Sequence, residues 1–403
     1  MDVTRKILIQ NNYLCFPVNN GAPKRLVRCA VDYENFREFE IELAEGEPDF
    51  WVFIDVRKFI GRQLSITIYN TENKDILDSI EQENDIKGAD NLYREKYRPQ
   101  FHYSAKRGWI NDPNGLVYYK GEYHLFYQHN PYGCKWGNMH WGHAVSRDLV
   151  HWSELEDALY PDEMGTMFSG SGVVDTNNTC GLKCGTEDPI ILFYTAAGGT
   201  SVQSDGRYFT QCIAYSNDRG RTWTKYQGNP VIGTIKKYNR DPKVVWHEDS
   251  QQWIMALYLE NQEYALFASR NLINWSEVGR YQIEGTGECP DLFELPVDGN
   301  LKNKKWVFWS ANGSYLIGTF DGRNFTEEYR VITGSSIETG YSYAAQTWNN
   351  IPKDDGRVIQ ISWATIDIPD MPFNGCMTFP CELTLRTTDE GIRLFTNPVR
   401  EIE

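Results

Sequence analysis

Hydrophobic positions in this chain recur mostly at every second residue and rarely with the spacing of a helix. Phe39, Ile41 and Leu43 alternate with Glu38, Glu40 and Glu42, and Leu64, Ile66 and Ile68 alternate with Ser65 and Thr67. That period of two marks strands with one face buried. Trp51 to Val56 is a more continuously apolar strand, bounded by Gly46-Glu47-Pro48 and by Gly61. Together these predict a small β-sandwich domain over residues 1–95, whose main purpose would be packing against its neighbour. From Thr71 to Gly88 the composition turns polar and charged, and Arg94-Glu95-Lys96-Tyr97-Arg98-Pro99 extends it. This stretch reads as a linker, with the boundary near 90–98.

Beyond residue 100 a weak repeat takes over. Four segments run from a small residue through a Ser or Thr, or a bare polar turn, to an aromatic: Ala144–Trp152, Ala214–Trp223, Ala268–Trp275 and Gly318–Phe325. A further hairpin, Leu383–Leu394, follows about one such period later. The second copy contains Ser216-Asn217-Asp218-Arg219-Gly220-Arg221-Thr222-Trp223, a turn in which Ser and Asp side chains brace the backbone. Strand-rich units at this spacing predict radial blades, so residues 96–396 read as a five-bladed β-propeller. Residues 397–403 read as the start of a linker to a further domain. The fold class is all-β, and no long stretch of helical periodicity interrupts it.

Composition narrows the partners. The chain has 403 residues, 40 Lys plus Arg against 55 Asp plus Glu, and a net charge of -15. Such an acidic balance argues against nucleic acid or an anionic membrane and suits a neutral substrate. The 13 Trp, 24 Tyr and 19 Phe fit an all-β core or a carbohydrate cleft. Nine cysteines are no disulfide framework, and an odd number leaves at least one thiol free. Cys180 and Cys184 are close enough to bridge, with two unpaired loop thiols the equal alternative. His140 and His143 stand three apart on a predicted strand and face opposite sides, and no spacing matches a closed zinc site. Neither a metal nor a cofactor is therefore expected. No apolar run reaches the length of a membrane span, and the N-terminus lacks a charged-then-apolar leader. The protein is thus cytoplasmic, or else secreted, periplasmic or surface-attached with its signal removed.

Three acids stand next to proline or glycine. In Trp109-Ile110-Asn111-Asp112-Pro113-Asn114-Gly115, Pro113 biases Asp112 toward an extended conformation, and Asn114-Gly115 tolerates positive φ. The carboxylate is expected where a strand ends and a turn begins, with Trp109 as a flat wall for a sugar ring. Arg240-Asp241-Pro242 pairs an acid with a guanidinium that favours its ionised form. Gly285-Thr286-Gly287-Glu288-Cys289-Pro290 places a Glu in a Gly-rich turn beside an apolar residue, where poor solvation would raise its pKa. A retaining glycosidase needs a nucleophilic carboxylate and an acid/base carboxyl about 5–5.5 Å apart. Asp112 and Glu288 fit these roles, with Asp241 as a permanently charged stabiliser of a cationic transition state.

In order along the chain, WINDPNG, Phe126-Tyr127-Gln128-His129-Asn130-Pro131, Trp136-Gly137 with Trp141-Gly142-His143-Ala144, Phe168-Ser169-Gly170, Arg240-Asp241-Pro242 and Glu288-Cys289 resemble the motifs of glycoside hydrolase family 32. That family holds invertases, levanases and inulinases. The resemblance implies a five-bladed propeller that cleaves β-fructofuranosidic bonds with retention, acting on levan, inulin or sucrose. It implies Asp112 as nucleophile, Glu288 as acid/base and Asp241 as stabiliser. Asn111, Gln128, Trp136, Phe168, Ser169 and Arg240 would line the fructose subsite, joined by Tyr343 and Trp363. Glu338–Gln346 matches the family's corresponding segment only approximately. The family's C-terminal β-sandwich has no counterpart before residue 403, while an added N-terminal domain, present in some bacterial fructan-degrading members, favours a fructan over sucrose alone. Fructosyl transfer through the same intermediate, or carbohydrate binding without turnover, are the alternatives. Sialidases share the hairpin turn, but their arginine cluster is not recognisable here.

Overall fold

The structure, a computed structural model, describes residues 1–333 and 342–402. Residues 1–83 form two facing antiparallel sheets. One orders its strands Val3–Leu8, Gln63–Ile68, Arg25–Val31 and Glu34–Ile41; the other orders Phe50–Asp55, Tyr13–Val18 and Glu81–Glu83. The alternating residues read from the sequence point inward as expected, with Phe39, Ile41, Leu64, Ile66 and Ile68 all buried in one core. Each such side chain contributes roughly 1.5–3 kcal/mol when fully withdrawn from water. Two details differ. Phe50–Asp55 alternates buried and half-buried positions, because its second face carries Trp51 out to meet Lys87. The polar stretch after Thr71 is no free linker, since Glu81–Glu83 pairs with Tyr13–Cys15 and completes the smaller sheet.

Residues 108–398 form five four-stranded antiparallel blades. Blade one is Gly108–Tyr119, Glu122–Asn130, His140–Ser146 and Trp152–Glu154; blade two is Thr166–Val174, Ile190–Ala197, Thr210–Ser216 and Thr224–Lys225. Blade three is Arg240–His247, Gln252–Glu260, Glu263–Ser269 and Ser276–Gln282, and blade four is Asp291–Val297, Asn300–Trp309, Tyr315–Phe320 and Phe325–Val331. Blade five is Ser342–Thr347, Val358–Ala364, Cys381–Thr388 and Gly391–Pro398. The first strands of successive blades touch in a closed ring, the fifth returning to the first. A short strand, Phe373–Asn374, pairs in parallel with Gly108–Trp109 and clasps blade five to blade one.

The sequence repeat is the hairpin between the third and fourth strands of each blade. In blade one Asp148 Oδ1 accepts from the backbone of Val150 and His151 at 3.0 and 2.8 Å. Asp218 does the same for Arg221 and Thr222 at 3.0 and 2.9 Å, and Asn271 for Ile273 and Asn274 at 3.2 and 2.9 Å. Asp321 binds Arg323 and Asn324 at 2.8 and 2.7 Å. Local side-chain to backbone bonds thus specify the turn in each copy. The final residues depart from the linker reading: Val399 is fully buried, and Glu401 takes a two-pronged ion pair from Arg357 at 2.8–2.9 Å. All nine cysteines are free thiols, Cys180 and Cys184 included.

Polar groups fill the propeller axis. Lys243 of blade three and Asp291 of blade four are 3.0 Å apart with side chains 1% and 0% exposed, and Lys243 Nζ donates to Thr347 of blade five. Asp291 also accepts from Thr347 N at 2.6 Å. Removing one member of a buried pair strands the other charge, at a cost of about 3–5 kcal/mol. Lys243→Met is expected to lower unfolding stability by that amount in urea titrations, and a loss below about 1 kcal/mol would show that the axial pair does not hold the blades.

Candidate active site

The ring gathers the candidate residues because every blade's first strand begins near one mouth. Four of the five first strands leave regular pairing there. Register shifts fall between Ile110 and Pro113, Phe168 and Gly170, Arg240 and Lys243, and Tyr343 and Gln346. A bulge frees a residue from the ladder and turns its side chain. The residues so released include Asn111, Asp112, Ser169 and Asp241. Asp112 therefore lies inside a 12-residue strand, Gly108–Tyr119, and not at a strand end as its turn-like neighbours suggested. Proline removes one ladder donor and the bulge absorbs the irregularity. Two more residues adopt positive φ at the mouth, Asp241 at 64° and Cys289 at 46°. A non-glycine residue holds such a conformation only where its surroundings enforce it.

All eleven residues singled out in the sequence line one cavity of about 760 Å3: Asn111, Asp112, Gln128, Trp136, Phe168, Ser169, Arg240, Asp241, Glu288, Tyr343 and Trp363. Glu338 lies outside the described residues. The cavity also takes Phe209, Tyr238, Tyr258, Glu260 and Asn261, which the sequence reading missed. These come from blades two and three and from the connection between them, and no local motif marks them. Trp109 is not on the wall. Its indole N–H donates to Asn111 Oδ1 at 2.8 Å, so it braces the wall from behind.

Hydrogen bonds fix Asp112. Asn111 Nδ2 donates to its Oδ1 at 3.0 Å and Ser169 Oγ to its Oδ2 at 2.8 Å. Asn114, fully buried beneath, ties this pair to Gln128: with its amide oriented by its neighbours it donates to Ser169 Oγ at 3.2 Å and accepts from Gln128 Nε2 at 3.1 Å. Cys289 Sγ donates at 3.6 Å to Asp112 and 3.5 Å to Asp241, so the two carboxylates share one thiol. Burial and the three surrounding acids push that thiol well above its ordinary range, which keeps it a neutral donor.

Burial pushes the Asp112 carboxyl up, and the charge of Glu288 adds to the effect, against the lowering bonds from Ser169 and Asn111. Burial also pushes Asp241 up to about 7; Arg240 pulls the other way, but Glu288 and Asp112 oppose it. Burial and the neighbouring acids therefore act against the expectation that Arg240 keeps Asp241 permanently ionised. Burial outweighs the guanidinium, which sits 3.6 Å from Asp241 and also hydrogen-bonds Glu288, with Nε 2.7 Å from Oε2. Glu288 also accepts from Tyr343 Oη at 3.1 Å and its side chain is 30% exposed. The poorly solvated setting expected for Glu288 belongs instead to Asp112 and Asp241. Trp363 Nε1 is buried with no partner among the described residues.

A propeller mouth that presents three carboxylates and aromatic walls is the site of a carbohydrate-directed protein. The chain belongs to glycosyl hydrolases family 32, whose N-terminal domain model matches residues 102–398. It is 47% identical over 335 residues to the levanase of Bacillus subtilis (strain 168), covering 77% of this chain and 48% of the levanase. To the extracellular exo-inulinase of Aspergillus niger it is 37% identical over 355 residues, covering 76% of this chain and 65% of the relative. The crystal structure of exo-inulinase from Aspergillus awamori superposes with a TM-score of 0.68 at 34% identity, covering 76% of this chain and 68% of that one. The chain thus spans about half to two-thirds of the length of these curated relatives.

A carboxyl whose pKa rises on folding withdraws stability as pH climbs from its unfolded value to its folded one. For Asp241 that window runs from 3.8 to about 7. Asp241→Asn is expected to match wild type at pH 3.5 and to exceed it by up to roughly 4 kcal/mol above pH 7. Denaturation at several pH values checks this; a constant difference across the window would be contrary.

Proposed function

We propose that the protein hydrolyses β-fructofuranosidic bonds of fructans, and of sucrose, with retention of configuration. The observation that carries this reading is the convergence of Asp112, Asp241 and Glu288 on one aromatic-walled cavity, with Asp112 held by donors on both oxygens. Asp112 attacks the anomeric carbon as the glycosidic C–O bond breaks, and Glu288 gives its proton to the departing oxygen. Water deprotonated by Glu288 then releases the sugar from Asp112. In its ionised form Asp241 accepts from sugar hydroxyls and favours the cationic transition state. Arg240 and Tyr343 position Glu288, and Asn111, Gln128, Trp136, Phe168, Ser169 and Trp363 seat the fructosyl ring. Residues 96–396 are the catalytic propeller and residues 1–95 an accessory domain.

Relatives named for levan and inulin support a fructan substrate, and the invertase of Schizosaccharomyces pombe, 35% identical over 328 residues, supports sucrose as well. The word extracellular in the inulinases' names favours an exported protein; no helix among the described residues is long and apolar enough to cross a membrane. Fructosyl transfer would use the same residues and differ only in the acceptor.

Chromatography of products from sucrose, inulin and levan tests the reading: fructose or fructo-oligosaccharides are expected, and none from any substrate would refute it. Asp112→Asn and Glu288→Gln are each expected to lower kcat by at least roughly a thousandfold while circular dichroism and Tm stay near wild type. Near-normal fructose release by either variant would remove these roles.

The nucleophile must be ionised, so kcat/KM should rise with pH through the elevated Asp112 pKa. Ser169→Ala deletes a bond that lowers this pKa. It is expected to move the acidic limb to higher pH and to cut kcat/KM by about tenfold or more. A pH–rate profile reads both; an unmoved limb would show that Ser169 does not tune Asp112.

A further inference from the structure

A second cleft of about 540 Å3 adjoins the active-site cavity, and Trp136 lines both. One wall is the N-terminal sandwich, through Lys24, Leu26, Glu38 and Glu40; the other is the turn of blade two that carries Thr200 and Val202. The walls are tied together at either end. Asn138, two residues past Trp136, exchanges hydrogen bonds of 2.9 and 2.8 Å with the backbone of Glu40. With the Asn35 amide oriented by its partners, Gln203 Nε2 donates to it at 3.2 Å.

The cleft holds one polar group with unfinished business. The Glu38 side chain is only 3% exposed, and Arg28 occupies its Oε2 at 2.6–2.7 Å. Its Oε1 is buried and has no partner among the described residues. A buried acceptor left unpaired is unfavourable, and a donor entering the cleft would relieve it. Trp136, 52% exposed, offers an indole in the same cleft. An aromatic face next to a carboxylate acceptor suits a sugar, whose C–H surface packs on the ring while a hydroxyl donates to the acid.

We infer that this cleft binds further fructosyl units of a polymeric substrate, so that the N-terminal sandwich forms part of the substrate groove. The inference rests on the fructan reading above. The chain seated among the three acids continues past Trp136 and is held between the sandwich and blade two. Sucrose, with one fructosyl unit in the cavity, does not reach it.

Val202 is 62% exposed and Leu26 half-buried on opposite walls, and neither touches the catalytic cavity. Val202→Trp and Leu26→Trp are expected to fill the cleft from either side. Measured kcat/KM on sucrose should stay within about twofold of wild type, while kcat/KM on levan or inulin falls at least about fivefold, the loss of less than one good contact per chain. Glu38→Gln should lower the polymer-to-sucrose ratio in the same direction. An unchanged ratio in both tryptophan variants, or an equal fall on sucrose and polymer, overturns the cleft while leaving the hydrolase reading intact. Wild-type protein that releases no fructose from any of these sugars overturns both.

Discussion

Three carboxyl groups crowded into one cavity, two of them on buried aspartates, are the arrangement that the rest of this structure has to tolerate. Burial raises the cost of ionising Asp112 and Asp241, and the charge of Glu288 raises it further. Blades one and two answer for Asp112, through Asn111 and Ser169. Between blades three and four, Arg240 answers for Glu288, and the Cys289 thiol bridges the two aspartates. What remains uncompensated falls on Asp241, whose carboxyl is pushed up to about 7. Function is bought with stability at that position, as is common where a site needs charges that the fold alone would not keep.

The propeller makes such crowding possible without disordering the backbone. Its ring brings first strands from all five blades to one mouth, but a regular strand would point alternate residues into the blade interfaces. Bulges at matching heights in blades one, two, three and five release the residues that line the cavity. Gly170 shows how tight the construction is: a Cβ there would sit 1.9 Å from the carbonyl oxygen of Phe193. The axial Lys243–Asp291–Thr347 cluster lies on the same strands a few residues further along. One set of strands therefore carries both the irregular mouth and the polar plug that fastens the blades below it.

The chain disclosed its architecture through local chemistry. The hairpin turns were legible because Asp148, Asp218, Asn271 and Asp321 bond to their own neighbours within four residues. The three acids were legible only together: beside proline and glycine each reads as readily as an ordinary turn, but their order matched a known set of motifs. What the residues hid was through-space. Arg240 precedes Asp241 in sequence yet faces Glu288, 48 positions away. Asn114 looked like half of a turn and is instead the buried strut under Ser169 and Gln128. Tyr238, Tyr258, Glu260 and Asn261 enter the cavity only because blade three curves round to it. The segment after Thr71 looked like a linker because Glu81–Glu83 pairs through its backbone, which leaves composition uninformative.

The junction between sandwich and propeller bears on the same site. Phe39 of the sandwich stacks on Tyr132 with centroids 3.7 Å apart, Glu42 accepts from Lys135 at 2.9 Å, and Glu40 is bound by Asn138. Asn130 organises the stretch between them, accepting from Tyr132 N at 3.1 Å and donating to Lys135 O at 2.8 Å. Trp136 sits inside that stretch, between two anchoring residues. The contacts that seat the sandwich on blade one are therefore the contacts that fix an indole on the cavity wall. A domain that served only to cover the propeller could have docked on any blade; by docking on residues 132–138 it constrains a wall of the pocket, which couples its placement to the shape that substrate meets.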